Sequence, residues 1–359
     1  MTAIIVILAI SVLVFVHEFG HFWAAKRAGM RVDEFGFGFP PRLWSTQYNG
    51  TRYSINAIPF GGFVRIFGED GGHTEAPGSF GHGTFWQRVG VIVAGVVMNF
   101  VFAAVLLMLV NFLGLRIGIF DEPTASRARD AYVQILQVVP DSPAETGGLK
   151  PLDAIVGFRE SGVLVPVAGP EDVQTVAYEN VGEPVVLVIR RGSEQIDVPL
   201  TLRKPGGPGE GPIGISLALT GVVSYPWHEA IWRGAVDAGR LFASILNGYW
   251  QIIATLFTDG TLDAGVSGPI GIAALTGQAA KVGFNYFLQF IAMISVNLAV
   301  LNIIPFPALD GGRLLLLIAE RLRGRALARS TEYAINAAGF LILVLLMVAV
   351  TARDIVRFF

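Results

Sequence analysis

Four stretches of the chain are almost entirely apolar and long enough to cross a bilayer. They lie near residues 2–23, 89–113, 285–304 and 333–350. Because a hydrocarbon core of about 30 Å needs roughly 20 consecutive apolar residues in a helix, each stretch predicts a membrane-spanning helix. The first has neither a positively charged start nor a small-residue cleavage site after it, which is typical of an uncleaved anchor.

The pattern changes between the first two spans. Residues 52–58 and 62–67 suit strands, and Asn49-Gly50 is a strong hairpin-turn signal. With the glycines, prolines and phenylalanines of residues 31–67, they predict a small sheet. This sheet either dips into the membrane, where protein must cover its backbone, or rests on the membrane surface as a hairpin.

Between the second and third spans the pattern predicts a soluble domain. Residues 133–139, 185–190 and 194–202 suit strands, and residues 170–178 suit a short helix. We therefore expect an α+β domain at 115–225, with its core at about 130–204.

An amphipathic segment follows this domain. Residues 227–257 predict a helix on the outer membrane surface, within a linker at 226–283. A fifth span at 241–257 is the competing interpretation, but it would move the arginine-rich residues 313–329 to the outside.

Composition agrees with a membrane protein. Of 359 residues, 53% are hydrophobic and only 15% are charged, whereas soluble domains carry about 25% charged residues. The net charge of -2 gives no nucleic-acid signal, so no nucleic-acid partner is expected. The absence of cysteine excludes disulfides, cysteine zinc ligands and cysteine nucleophiles.

Lysine and arginine predict the orientation, because short cytoplasmic loops are rich in both. The basic residues cluster after the first span and after the third, at Lys26, Arg27, Arg31, Arg42, Arg52, Arg65 and Arg88, and at Arg313, Arg321, Arg323, Arg325 and Arg329. Both loops are therefore expected in the cytoplasm, with the 115–225 domain outside. The first two spans are expected to form one membrane part, residues 1–114, and the last two a second, residues 284–359.

Two histidines and a glutamate interrupt the first span. His17 and His21 are four residues apart, so in a helix they share one face and both imidazoles can reach one Zn²⁺. Glu18 lies beside them as a candidate general base. This pattern in a surface helix usually means nothing, but inside an apolar span each ionisable group costs a few kcal/mol. The first span therefore predicts a zinc site.

A catalytic zinc needs three protein ligands and one open position. Asp310 is the best third candidate, because it follows the third span just beyond Pro305 and Pro307, at the membrane level of the two histidines. The alternative is that Asp310 is a helix cap or turn residue before two glycines.

Two asparagines lie within the spans. Asn302 can bond the scissile peptide or its developing oxyanion, or make a structural bond between helices. Asn99 is interpreted as a packing or helix-contact residue.

These residues resemble the site-2 protease family of intramembrane zinc metalloproteases, and are closest to its members similar to the regulator of sigma-E protease. The motifs are residues 17–21 and 302–312, supported by 58–64, by 267–272 and by 140–155, which looks like a PDZ domain. The resemblance covers nearly the whole chain. Arg313 departs from it, because histidine often follows the Asp-Gly-Gly of the family, and Val96 stands where a proline is frequent.

The resemblance implies a polytopic α-helical membrane protein with four transmembrane helices, a membrane-reentrant β element at 31–67 and one extracytoplasmic PDZ-like α+β domain. It implies Zn²⁺ held by His17, His21 and Asp310, with Glu18 activating the water. It also implies that an unwound substrate helix adds to the edge of the reentrant element as a strand. The candidate substrate contacts are Asn302, Ile58, Gly61, Gly62 and Phe63.

The implied function is hydrolysis of a peptide bond within or near the transmembrane segment of single-span membrane proteins, after another protease has trimmed the ectodomain. Anti-sigma factors and remnant signal peptides are the expected substrates. The PDZ-like domain would bind a peptide or filter substrates by size, in a bacterial cytoplasmic (inner) membrane protein whose active site lies towards the cytoplasm. The alternatives are a non-enzymatic membrane scaffold, which leaves the ionisable residues unexplained, and a metal transporter, which should carry polar residues on several spans.

Overall fold

The computed structural model of the chain contains two compact units, one formed by Met1–Val110 with Trp227–Phe359 and the other by Asn111–Pro226. The structure describes residues 2–70, 76–192, 194–205, 211–258, 268–325 and 327–358. Ser267, the first residue of one supporting stretch, lies outside these ranges.

The helices and strands follow one another along the described residues. In chain order they are α1 (Thr2–Arg27), β1 (Val32–Tyr48), β2 (Thr51–Ile66), α2 (Phe85–Leu113), β3 (Leu115–Gly118), α3 (Glu122–Arg127), β4 (Arg129–Val138), α4 (Pro143–Thr146), β5 (Ala154–Glu160), β6 (Val163–Pro166), α5 (Pro170–Glu179), β7 (Pro184–Arg191), β8 (Glu194–Thr201), β9 (Ile215–Val223), α6 (Trp227–Thr258), α7 (Pro269–Val282), α8 (Phe284–Ile303), α9 (Asp310–Arg323) and α10 (Arg329–Phe358).

Four helices are long and apolar enough to cross a membrane. They are α1, α2, α8 and α10, and they coincide with the four predicted spans. The side chains of Phe340, Leu345 and Met347 on α10 are each more than half exposed. Apolar surface of this extent needs a lipid or protein covering. The chain is therefore an integral membrane protein.

The four helices α1, α2, α6 and α8 share one hydrophobic core. Leu13, Ala103, Ala238 and Val296, one from each helix, are fully buried in it. Small side chains let helices approach closely within a membrane. Helices α1 and α2 approach closely at Gly20 of α1, where an added Cβ would come within 2.4 Å of the Ala94 carbonyl oxygen on α2.

Helix α6 is continuous over the segment that the sequence left between two interpretations. Two of its aromatic side chains contact membrane spans. Phe242 meets Phe100 edge to face with ring centroids 5.9 Å apart. The Tyr249 hydroxyl donates to Asn297 Oδ1 at 2.8 Å. Among the described helices, α6 falls outside the four that satisfy the length and hydropathy required of a span.

Strands β1 and β2 form the small sheet predicted between the first two spans. Asn49 and Gly50 both have positive φ, 47° and 74°, as a tight hairpin turn requires. The first half of β1 lies between the two halves of β2, because Phe35 pairs with Tyr53 on one side and with Val64 on the other. The two strands predicted at 52–58 and 62–67 are thus the two halves of β2, and residues 62–66 form one edge of the sheet.

The second unit is built on an antiparallel sheet with the order β3-β9-β4-β5-β7-β8, in which β6 also pairs with β5. Phe158, Ile135, Leu187 and Ile189 are fully or almost fully buried between the sheet and its helices. Ser142 caps α4 by accepting from the Glu145 N–H, as the Ser-Pro-x-Glu spacing favours.

This sheet extends beyond the expected core of residues 130–204. Strand β9 begins at Ile215 and lies between β3 and β4, one strand in from the edge of the sheet. Sequence reasoning did not find β9, because its pairing partners are distant in the chain and its register is set by those contacts.

We predict that Phe158→Ala lowers the free energy of unfolding of the sheet unit by about 3–5 kcal/mol, because it leaves a cavity in the core. Amide hydrogen exchange in the full-length protein in detergent measures this as faster exchange in β5 and β7. Val163→Ala is the control, since Val163 is 66% exposed and its truncation should cost less than about 0.5 kcal/mol. Equal exchange in both variants would contradict the prediction.

Candidate metal centre

The two histidines of α1 point at the same place. His17 and His21 are each 8% exposed, and their Nε2 atoms lie 3.1 Å apart. The helical repeat brings them together, because side chains four residues apart lie one above the other. Helix α1 therefore offers two ring nitrogens at one point within an apolar bundle.

Asp310 reaches the same point from the other end of the chain. Helix α8 ends at Ile303, two prolines follow, and α9 begins at Asp310. Asp310 Oδ2 lies 3.0 Å from His17 Nε2 and 3.3 Å from His21 Nε2. Leu309, and not Asp310, occupies the N-cap position of α9. The structure thus brings all three predicted ligands together, and within the described residues they form the one group suited to a metal ion.

The three atoms fit a zinc ion. His21 Nδ1 lies 2.8 Å from the Val91 carbonyl oxygen, so Nδ1 carries the proton and Nε2 presents a lone pair. A buried carboxylate oxygen and imidazole lone pairs this close repel one another unless a metal ion or a proton lies between them. Zinc bonds of about 2.0–2.1 Å at tetrahedral angles separate ligand atoms by about 3.3 Å, close to the spacing seen here.

Helix α2 supports both histidines from behind. An added Cβ at Gly95 would lie 2.4 Å from His21 Nε2 and 2.6 Å from His17 Cε1, so this position has room only for glycine. One turn before it, the Val91 carbonyl oxygen accepts from His21. One turn after it, the Asn99 amide lies 3.3 Å from His17 Nδ1.

These three α2 residues were not identified as parts of the site from the sequence. The sequence alone favours a packing or helix-contact role for Asn99, although a fully buried amide in an apolar span is itself a signal of function. The carbonyl of Val91 and the missing side chain of Gly95 leave no such signal in a sequence.

Glu18 faces the sheet rather than α2. Its Oε2 accepts from the Val64 N–H at 3.1 Å, at the edge formed by residues 62–66. On the same side of α1, Ser11 donates to the Pro59 carbonyl oxygen and accepts from the Gly61 N–H. The sheet is therefore fastened to α1 at Ser11 and at Glu18.

The predicted substrate contacts are found in different surroundings. Gly61 and Gly62 are buried against α1, Phe63 is half-buried and the side chain of Ile58 is 45% exposed. Asn302 is half-buried in the last turn of α8. Their contacts with a substrate remain predictions.

A cavity of about 460 Å³ runs along the edge of residues 63–67 and reaches Arg313. Arg313 Nη1 donates to Glu69 Oε1 at 2.6 Å, which joins α9 to the end of the sheet. Burial disfavours the charged guanidinium, but the carboxylates of Glu69, Asp310 and Glu332 together outweigh this effect and raise the pKa of Arg313. The arginine that departs from the family pattern thus stays charged at the border of the cavity.

Comparison with known proteins identifies the family of this chain. The model of peptidase family M50 matches residues 5–346. Two chains whose names describe zinc metalloproteases are each 33% identical to it. One, from Clostridium perfringens, aligns over 99% of both chains, and the other, from Nostoc, over 96% of this chain and 93% of its own. The regulator of sigma-W protease RasP of Bacillus subtilis is 29% identical over 100% of this chain and 99% of its own.

The chain therefore belongs to peptidase family M50, the site-2 proteases. This confirms the family resemblance drawn from the two motifs. The assignment of the sheet domain as a PDZ domain remains a prediction.

We predict that Gly95→Ala weakens metal binding at least about 10-fold, because the added methyl displaces both imidazoles. Zinc content after dialysis of the purified protein against a chelator measures this. Gly90→Ala is the matched control on the same helix, since an added Cβ there meets nothing within 4 Å. Equal zinc retention in the two variants would contradict the prediction.

Proposed function

We propose that this chain is an intramembrane zinc metalloprotease in which His17, His21 and Asp310 hold the zinc ion and Glu18 is the general base. The observation that carries the proposal is the meeting of three ligand atoms from two distant segments within 3.3 Å of one another. Zinc-dependent peptide hydrolysis fits the peptidase family to which the chain belongs. It also fits a set of two histidines and one carboxylate as zinc ligands.

When bound, a zinc ion polarises the scissile carbonyl and makes a water molecule easier to deprotonate. Glu18 takes the water proton and later passes it to the leaving amine. Because the Val64 N–H already donates to Oε2, we assign Oε1 as the atom that accepts the proton. The same bond fixes the carboxylate beside the sheet edge, so Glu18 is oriented before a substrate arrives.

We propose that the sheet of β1 and β2 is the membrane-reentrant element. The bond from Ser11 to Pro59 supports this, because Ser11 lies about 24 Å along α1 from its cytoplasmic end at Arg27. At that depth the sheet would lie within the hydrocarbon core, and α1 covers the buried glycines.

The substrate enters as an added strand at the edge of residues 62–66. Within the described residues no other strand pairs with this edge, and the cavity of about 460 Å³ lies along it. Backbone bonds to such an edge would hold an unwound helix extended beside Glu18. Phe63 and Ile58 would contact its side chains, and Asn302 would bond the scissile peptide.

The proposed substrates are single-span membrane proteins whose ectodomain has already been trimmed. The name of the Bacillus subtilis relative, a regulator of sigma-W protease, supports anti-sigma factors as one class and remnant signal peptides stay a second. The sheet domain would be a PDZ domain on the outer face of a bacterial cytoplasmic membrane, binding a peptide or filtering by size. Membership of a peptidase family favours this function over a scaffold or a metal transporter.

We predict that Glu18→Gln retains one zinc per chain but lowers cleavage of a trimmed single-span substrate at least about 100-fold, because glutamine accepts no proton. Product formation in proteoliposomes and metal analysis measure the two effects. Cleavage near the wild-type rate would refute the assignment of Glu18.

Two further variants serve as controls for this experiment. Glu160→Gln makes the same chemical change at an exposed residue and should cleave like the wild type. Asp310→Ala should lose both zinc and cleavage, which separates a metal ligand from a base.

We also predict that the end of α9, at Arg323, faces the cytoplasm and that the sheet domain, with Glu160, faces the outside. The chain has no cysteine, so a single introduced cysteine gives a clean topology signal. Arg323→Cys should react with an impermeant maleimide only from the cytoplasmic side, and Glu160→Cys only from outside. The reverse pattern would overturn the proposed orientation.

A further inference from the structure

Asn99 has a polar atom that the fold leaves without a partner. The residue is fully buried in the middle of α2, and its Nδ2 lies 3.3 Å from His17 Nδ1. In the part of the chain that the structure describes, Oδ1 of the same amide has no hydrogen-bond donor. A buried, unsatisfied amide oxygen costs about 1–3 kcal/mol, so it needs an explanation.

The chemistry of a metal ligand supplies one. For His17 Nε2 to bind zinc, Nε2 must be unprotonated, and the neutral ring then carries its proton on Nδ1. That N–H needs an acceptor, which an amide nitrogen is not. The oxygen and nitrogen of an asparagine amide have nearly the same shape, and their assignment follows from the hydrogen bonds. Rotation of the amide by half a turn puts Oδ1 at the position 3.3 Å from His17 Nδ1.

We propose that Asn99 is a positioning residue for the metal site, whose Oδ1 accepts a hydrogen bond from His17 Nδ1–H. This proposal rests on the proposed function, since it requires His17 to be a zinc ligand. The bond fixes the tautomer and the orientation of the ring and gives the buried oxygen a donor, while Nδ2 moves to the position that Oδ1 held. His21 already has the equivalent bond, to the Val91 carbonyl oxygen. One face of α2 thus carries, at four-residue spacing, an acceptor for each histidine with Gly95 between them.

The backbone of Asn99 has a separate role that provides a control. Ser295 Oγ of α8 donates to the Asn99 carbonyl oxygen at 2.8 Å, and both residues are fully buried. Ser295→Ala therefore removes a buried contact at Asn99 without touching the amide. If Asn99 only packs against its neighbours, Asn99→Ala and Ser295→Ala should change zinc affinity to a similar extent. If its amide accepts a hydrogen bond from His17, only Asn99→Ala should weaken zinc binding.

The test measures zinc affinity of the full-length protein in detergent by competition with a chelator. Asn99→Ala should raise the Kd for zinc by about 10- to 100-fold, the usual effect of losing a partner of a metal-bound histidine. Asn99→Asp keeps an oxygen acceptor and should stay within a few-fold of the wild type. Ser295→Ala should do the same.

Three results would overturn the proposal. The first is an Asn99→Asp variant that binds zinc as weakly as Asn99→Ala, which would make the amide a hydrogen-bond donor. The second is an Asn99→Ala variant with unchanged zinc affinity. The third is a Ser295→Ala variant that binds zinc as weakly as Asn99→Ala. If Asn99→Asp does not fold, as thermal unfolding would reveal, the comparison of the two alanine variants still decides. A wild-type protein without stoichiometric zinc would refute the metalloprotease function, whereas zinc-bound wild type with any of the three results refutes only the role of Asn99.

Discussion

Repulsion among three buried lone-pair donors is the constraint on which the membrane unit depends. Two imidazole nitrogens and one carboxylate oxygen lie within 3.3 Å of one another, in a bundle that offers little water to screen them. Such a cluster needs a metal ion or protons between its atoms, and surrounding helices that hold each side chain in one orientation. The close approach of α1 and α2 at Gly20 and at Gly95 provides that rigidity.

Helix α1 divides its contacts between two faces. Gly20 and the two histidines face α2, while Ser11 and Glu18, seven residues apart, both face the sheet of β1 and β2. A spacing of seven residues is two helical turns, so the second face presents Glu18 and Ser11 in one line. The proposed metal ligands and the sheet edge thus contact adjacent sides of one helix, with Glu18 between them.

The other unit follows different physical rules. Its sheet buries Phe158, Ile135 and Leu187 in a core of its own. In the membrane unit alanines lie beside larger aliphatic residues in the core, and large apolar side chains of α10 are exposed. Such exposure is expected where lipid replaces water, because close packing then contributes more than burial of apolar area.

Local sequence determined the four spans, the Asn49-Gly50 turn and the pairing of His17 with His21, because each depends on composition or on spacing within one element. It also indicated Asp310, through the depth at which the third span ends. Only the tertiary structure decided which atoms of distant segments come into contact. The bond from Val64 to Glu18, the position of Asn99 beside His17 and the place of β9 within its sheet all join segments that are far apart in the chain. Such contacts depend on how whole helices and strands pack, and neither hydropathy nor periodicity carries that information.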